Sequence, residues 1–188
     1  MGESGTGKST LLNLIAGLDV PDAGSIAFEG IELTTLDDTA RTLLRRTRMG
    51  FVFQAFHLLP HLTVTQNVRL PLDLAGVARG AADARTLAML DAVGIAALAH
   101  DYPRTLSGGE AQRAAIARAL VHTPPLVLAD EPTGNLDHAS ATQVLTLLRE
   151  QISQGAGGGV LVTHSHTAAR IADRIYMLTQ DGLSAGEA

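Results

Sequence analysis

The chain has 188 residues, a net charge of −5 and no cysteine, which excludes disulfides, thiol catalysis and thiolate metal sites. That length suffices for one large domain with a substantial core, and the acidic balance, with an isoelectric point near 5.7, argues against broad binding to nucleic acid or to an anionic membrane surface. No apolar run approaches the roughly twenty residues of a bilayer span and the opening has no signal-peptide pattern, which reads as a soluble, cytoplasmic protein.

The first element along the chain is Gly2-Glu3-Ser4-Gly5-Thr6-Gly7-Lys8-Ser9, with Thr10 behind it. Lys8 is the only lysine, beside thirteen arginines. Arginine presents a wide planar fork, whereas an ammonium is a compact point charge that reaches between the β- and γ-phosphates of a nucleotide. A lysine used only here marks the pattern as a phosphate-binding loop. Its glycines let successive N–H groups curl round an anion, the following helix aims its positive end at the phosphates, and Ser9 offers a hydroxyl to Mg2+. Leu11, Leu12, Leu14 and Ile15 give that helix an apolar face, and Gly17 a stop.

Pro21 to Gly24 is then a turn, and Ser25 to Phe28 with Ile31 to Leu33 reads as a short strand hairpin. Residues 35–48 look helical, and Arg45, Arg46 and Arg48 read as a solvated cluster complementing the helix dipole. Met49 to Phe53 is an apolar strand that ends at Gln54. Pro60 and Pro71 bracket an irregular region, and residues 81–93 form an alanine-rich helix ending at Gly94, so the middle third reads as a helical insertion. Ser107 caps a further helix striped by Ala114, Ile116, Ala117 and Leu120, which Pro124-Pro125 breaks.

Leu126 to Asp130 and Val160 to Thr163 are continuous apolar runs of the kind buried on both faces of a parallel sheet. Between them, residues 139–152 read as helix and Gly155 to Gly159 as a loose loop. Strands alternating with helices predict an α/β fold with a mostly parallel sheet. Ligands of such sheets collect at the carboxyl ends of the strands, where Gln54, Asp130, Glu131 and His164 all fall. There Asp130 is placed to hold Mg2+ through water and Glu131 to polarise an attacking water.

With Leu106-Ser107-Gly108-Gly109-Glu110 added, the sequence resembles the ATP-binding cassette (ABC) ATPases throughout its length. Gly2 to Thr10 matches the Walker A loop, Gln54 the Q-loop, and Leu106 to Glu110 the signature motif. Leu126 to Glu131 matches the Walker B strand with its catalytic glutamate, Asn135-Leu136-Asp137 the D-loop, and His164 the switch histidine. All six occur in the family's order. The resemblance implies a P-loop NTPase, a single domain over residues 1–188, with a helical signature subdomain inserted at about 60–122.

It also implies a shared site. In this family two cassettes meet head to tail, so that ATP and Mg2+ held at Lys8, Ser9, Gln54 and Asp130 of one are closed over by Ser107, Gly108, Gly109 and Glu110 of the other. Glu131 then activates water, His164 contacts the γ-phosphate, Gln54 senses Mg2+ and nucleotide, and hydrolysis loosens the dimer. Gly50 to Gln54, Leu58-Leu59-Pro60, Asn67-Val68, Leu70-Pro71-Leu72 and Gly134 to Asp137 resemble the branch serving lipoprotein release and macrolide export. The implied partners are a second cassette and transmembrane permease subunits, not nucleic acid, with the chain peripheral to the cytoplasmic membrane. Phe51 and Phe53 read as core, whereas Phe56, His57 and Leu58 are placed to meet a permease helix.

The family carries several dozen residues before its phosphate loop, including a buried strand and an aromatic residue that stacks on adenine; here Met1 immediately precedes Gly2. The expectation is an N-terminally truncated cassette with unpaired sheet edges and nucleotide binding weaker by roughly 1–3 kcal/mol. A misassigned start and a genuine fragment both remain open. Two other functions compete with a transporter ATPase: an inactive remnant, and a soluble cassette that clamps DNA or ribosomes. The latter usually carries a coiled-coil insertion or tandem cassettes, absent from this sequence.

Overall fold

The computed structural model describes residues 1–2, 5–155, 157–179 and 182–186. Helix α1, Lys8–Ile15, leaves the phosphate loop at Gly7 and stops at Gly17, whose φ of 63° closes the helix as expected. A two-residue hairpin follows, β1 (Ala27–Phe28) against β2 (Ile31–Glu32), turned by Glu29 and Gly30 with φ of 50° and 79°. Positive φ at both turn residues matches the right-handed twist of the strands. Helix α2, Asp38–Arg48, starts three residues later than the sequence suggests. Leu33–Thr35 closes a 3-10 turn first, and Asp37 caps the helix by accepting from the Ala40 N–H. Its basic end is not merely solvated: Arg45 donates to the Gly17 carbonyl at 2.6 Å, and Arg48 pairs with Glu29.

The core sheet has strand order β3-β4-β5, all parallel, formed by Met49–Phe53, Leu126–Asp130 and Gly158–Val162. Its register aligns Phe53, Asp130 and Val162, so that Gln54, Glu131 and Thr163 emerge together at one edge. On one face Val127 and Ala129 pack with Ile116, Val144 and Leu148; on the other Leu128 packs with Leu12, Ala16 and Leu44. Burial on both faces is why β4 reads as an unbroken apolar run. Strand β5 begins at Gly158, inside the segment expected to be loop. A Cβ at Gly159 would sit 3.0 Å from Ile152 Cδ1, so glycine there permits a close approach.

Helices α3 (Val64–Leu74), α4 (Arg79–Ala92) and α5 (Gly108–Leu120) share a core of Val64, Val68, Leu72, Leu90, Ala114 and Ala117. Here the expected irregular region is corrected: Pro71 lies inside α3. An interior proline costs about 3 kcal/mol. Burial of Val64, Val68 and Leu72 together with a Thr63–Gln66 capping box offsets it, and the helix ends one turn later. The buried Asn67 amide binds the Leu59 N–H and the carbonyls of Leu59, Leu62 and Thr63, knitting the preceding loop.

After α6 (His138–Gln154) and the short α7 (His166–Ala169) comes a second hairpin, β6 (Tyr176–Thr179) with β7 (Gly182–Ala185). The Met1 backbone pairs with β6, its amino group donating to the Tyr176 carbonyl and its carbonyl accepting from the Leu178 N–H. Among the described residues β5 pairs only with β4. Between β5 and the second hairpin lies a cavity of about 650 Å3 lined by Val160, Leu161, Ile171, Ile175 and Leu183. No helix among the described residues is long and apolar enough to cross a membrane.

Candidate active site

Gly5 and Gly7 hold φ of 84° and 89°, and among the described residues no atom beyond the chain neighbours lies within 4 Å of a Cβ built on either. Glycine is therefore required at both for backbone conformation and not for space. The N-terminus of α1 has no side-chain cap, so its first N–H groups are not taken by one. Lys8 Nζ donates to the Gly2 carbonyl at 2.9 Å, tying the loop's end to its beginning. Thr6 lies in the loop, and Ser9 and Thr10 sit in the first turn of α1; Glu3 and Ser4 lie outside the described residues.

The two adjacent acids behind β4 serve different partners. Asp130, still in register with Phe53 and Val162, accepts from Ser9 Oγ at 2.8 Å. Glu131 turns into the left-handed region with φ of 44° while its N–H donates to the Val162 carbonyl. A non-glycine residue there stores about 1–2 kcal/mol. The turn sends its carboxylate to the end of β5, where it accepts from Thr163 Oγ1 at 3.1 Å, His164 N–H at 3.0 Å and His164 Nδ1 at 2.8 Å. That last bond uses the tautomer with a proton on Nδ1. The Glu131 side chain is 16 % exposed and that of His164 69 %, so the carboxylate is sheltered and the imidazole open to a ligand.

Gln54 reaches the same edge, where its amide bonds Asn135 and not Ser9 or Asp130. Its Nε2 donates to Asn135 Oδ1 at 3.2 Å, and Asn135 Nδ2 donates back to the Gln54 carbonyl at 3.0 Å. Asp137 caps α6, accepting from the N–H groups of Ala139 and Ser140 and from Ser140 Oγ; these bonds, the hydroxyl first, hold its pKa below the ordinary carboxylate value. Ser107 and Glu110 form a capping box on α5, with Ser107 Oγ and N–H both donating to Glu110 Oε2, and these bonds pull the Glu110 pKa down. Gly108 and Gly109 lie against Leu136 and Ser140, so the signature segment and the D-loop pack together.

The structure thus joins Ser9 with Asp130, Glu131 with His164, and Ser107 with Glu110. The two helices take different partners: α1 rests on β4 and β5, whereas α5 rests on β3, α3 and α6. Three contributors carry no sequence signal of their role: Thr163 reads only as a strand residue, Asn135 only as part of a motif, and Arg118 has no motif at all. The partners of Asn135 and Arg118 lie 81 and about 60 residues away, beyond any local pattern.

The sequence profile described as ABC transporter matches residues 1–134. The chain belongs to the ABC transporter family. An ABC cassette is an ATPase, and this chain carries the cassette fold. It is 49% identical over 178 residues to the lipoprotein-releasing system ATP-binding protein LolD of Pseudomonas syringae pv. tomato, covering 95% of this chain and 78% of that one. It is 46% identical over 187 residues to LolD of Legionella pneumophila (strain Lens), covering 100% and 82%. An uncharacterised ABC transporter ATP-binding protein of Mycobacterium tuberculosis is also 46% identical, over 95% of this chain and 72% of that one. Among solved structures, the dimeric ABC cassette MJ0796 in a post-hydrolysis state with ADP and Pi superposes with a TM-score of 0.86 at 39% identity, over 98% of this chain and 83% of that one.

Proposed function

We propose that this chain is the ATP-binding and hydrolysing subunit of a transporter that exports or extracts substrate from the membrane, two copies closing head to tail over ATP. The observation that carries the reading is the division of labour at the end of β4: Asp130 is bonded to the hydroxyl of the phosphate loop, Glu131 to the histidine of the next strand. Ser9 Oγ and an Asp130 oxygen, 2.8 Å apart, form the hard-oxygen pair that suits Mg2+, the remaining ligands coming from phosphate and water. Bound Mg2+ would neutralise phosphate charge. Gln54 spends its Nε2 on Asn135, so Oε1 is the atom by which it would join that set.

Lys8 and the N–H groups of α1 hold the phosphates. Glu131 takes a proton from water as the water oxygen attacks the γ-phosphorus and the bond to the β,γ-bridging oxygen breaks, giving ADP and inorganic phosphate. His164 steadies the Glu131 carboxylate through Nδ1 and faces the γ-phosphate. Because α1 and α5 lie on different parts of the sheet, Ser107, Gly108 and Gly109 close the site of a partner copy, which supports dimerisation. The helices between about residues 60 and 122 act as the signature subdomain. Phe56, His57 and Leu58 form the contact with permease subunits that holds the chain at the cytoplasmic side of the membrane. The LolD relatives support a lipid-anchored substrate.

Glu131→Gln tests the reading. The amide keeps an acceptor for the His164 N–H but takes no proton, so ATP binding persists while turnover falls by about 10²–10⁴-fold. Normal turnover in that variant refutes the role of Glu131.

A further inference from the structure

Arg118, near the far end of α5, reaches back to the loop behind β3. Its Nη1 donates to the His57 carbonyl at 2.5 Å and its Nη2 to the Phe56 carbonyl at 2.9 Å. The guanidinium is partly buried, and that burial lowers its pKa from the ordinary arginine value. Among the described residues it forms no ion pair. Two backbone carbonyls stand where a buried cation normally meets a carboxylate, so the fork is matched to a backbone shape.

That shape is one the chain adopts under constraint. Phe56 and His57 have φ of 59° and 49°, the left-handed region that residues with a Cβ avoid. The His57 N–H donates to the Ala55 carbonyl at 2.6 Å, the hydrogen-bond pattern of a γ-turn, whose positive-φ form is rare and strained. The His57 ring meets Phe53 edge-on with centroids 5.0 Å apart. One residue before this turn's Ala55 is Gln54, clasped on its other side by Asn135.

We propose that Arg118 is a positioning residue for Gln54: by holding the strained turn at Phe56 and His57, it ties the loop behind β3 to the helix that begins after Ser107. Helix α5 has 13 residues, about 20 Å of rigid rod, so a displacement of its Ser107 end is transmitted to the Gln54 loop through this fork. The inference rests on the role given to Gln54 above.

The test compares Arg118→Met and Arg118→Lys with Gln54→Ala, reading amide hydrogen exchange at residues 55–58, ATP turnover, KM for ATP and melting temperature. Methionine keeps the stem's packing, and lysine keeps the charge without the fork. Both are expected to speed exchange at 55–58 and to lower kcat by about tenfold, with KM and melting temperature unchanged. Adding His57→Gly to Arg118→Met removes the Cβ penalty at the turn and restores most of the turnover, which a general packing defect would not allow. If Arg118→Met does not fold, Arg118→Lys carries the comparison. Unchanged exchange overturns the clamp, and so does normal turnover in an Arg118 variant when Gln54→Ala is impaired. Faster exchange and lower turnover beside a fully active Gln54→Ala instead uphold the clamp and refute the role of Gln54.

Discussion

Gln54 and Asn135 exchange hydrogen bonds across the loops that leave β3 and β4, the side chain of each engaging the other at 3.2 and 3.0 Å. The pair stands at the edge of the site, with Gly134 directly beneath: a Cβ there would lie 2.6 Å from Gln54 Nε2. Since that atom ends a flexible side chain, Gly134→Ala displaces the amide without unfolding the loop. Both Gly134→Ala and Asn135→Leu are expected to lower ATP turnover by about ten- to a hundredfold through misplacement of Gln54, with ATP binding retained. Steady-state kinetics beside equilibrium nucleotide binding checks this, and full turnover in both variants excludes a role for the clasp.

Gly50 lets β3 lie directly against the backbone of α5. A Cβ at this position would sit 2.1 Å from the Ala119 carbonyl oxygen, a backbone atom that cannot move aside alone. Gly50→Ala is expected to destabilise the fold by about 3 kcal/mol, which in a chain of this size lowers the thermal midpoint by roughly 6–12 °C. Calorimetry measures it, and an unchanged midpoint would mean that α5 is free to shift.

His122 gives the fold a pH response. Burial lowers its pKa below the ordinary imidazole value, outweighing the bond from Nε2 to the Met49 carbonyl, and buried Nδ1 has no hydrogen-bond partner among the described residues. A lowered folded-state pKa means that the unfolded chain binds the proton first. Stability contributed by neutral His122 is therefore complete above the unfolded value of about 6.5 and is lost as pH falls from there through the folded pKa. His122→Gln is expected to flatten urea stability between neutral pH and about pH 5 relative to the parent chain. Identical slopes in the two would place the acid sensitivity elsewhere.

What was legible in the sequence was whatever local chemistry specifies. The phosphate loop, the cap at Ser107, the hairpin at Gly30 and the doubly buried run of β4 each rest on residues within a few positions of one another. The failures share a cause as well. Pro71 predicts a break, but buried Val64, Val68 and Leu72 outweigh it. Gly158 and Gly159 look like loop until Ile152 is seen pressing on the strand. The C-terminal hairpin, β6 with β7, is short and mostly exposed, with too weak a pattern to announce itself.

The sequence by itself determined the order of the motifs, the parallel α/β plan and the identity of the acids and the lone lysine, because covalent neighbours and periodic burial carry that information. Only the tertiary structure decided which side chains meet. Asp130 goes to Ser9, Glu131 to His164, Gln54 to Asn135 and Arg118 to the Phe56–His57 turn. Those pairings depend on strand register and on the direction a single φ sends a carboxylate, quantities set by packing of the whole chain and written in no local stretch of it.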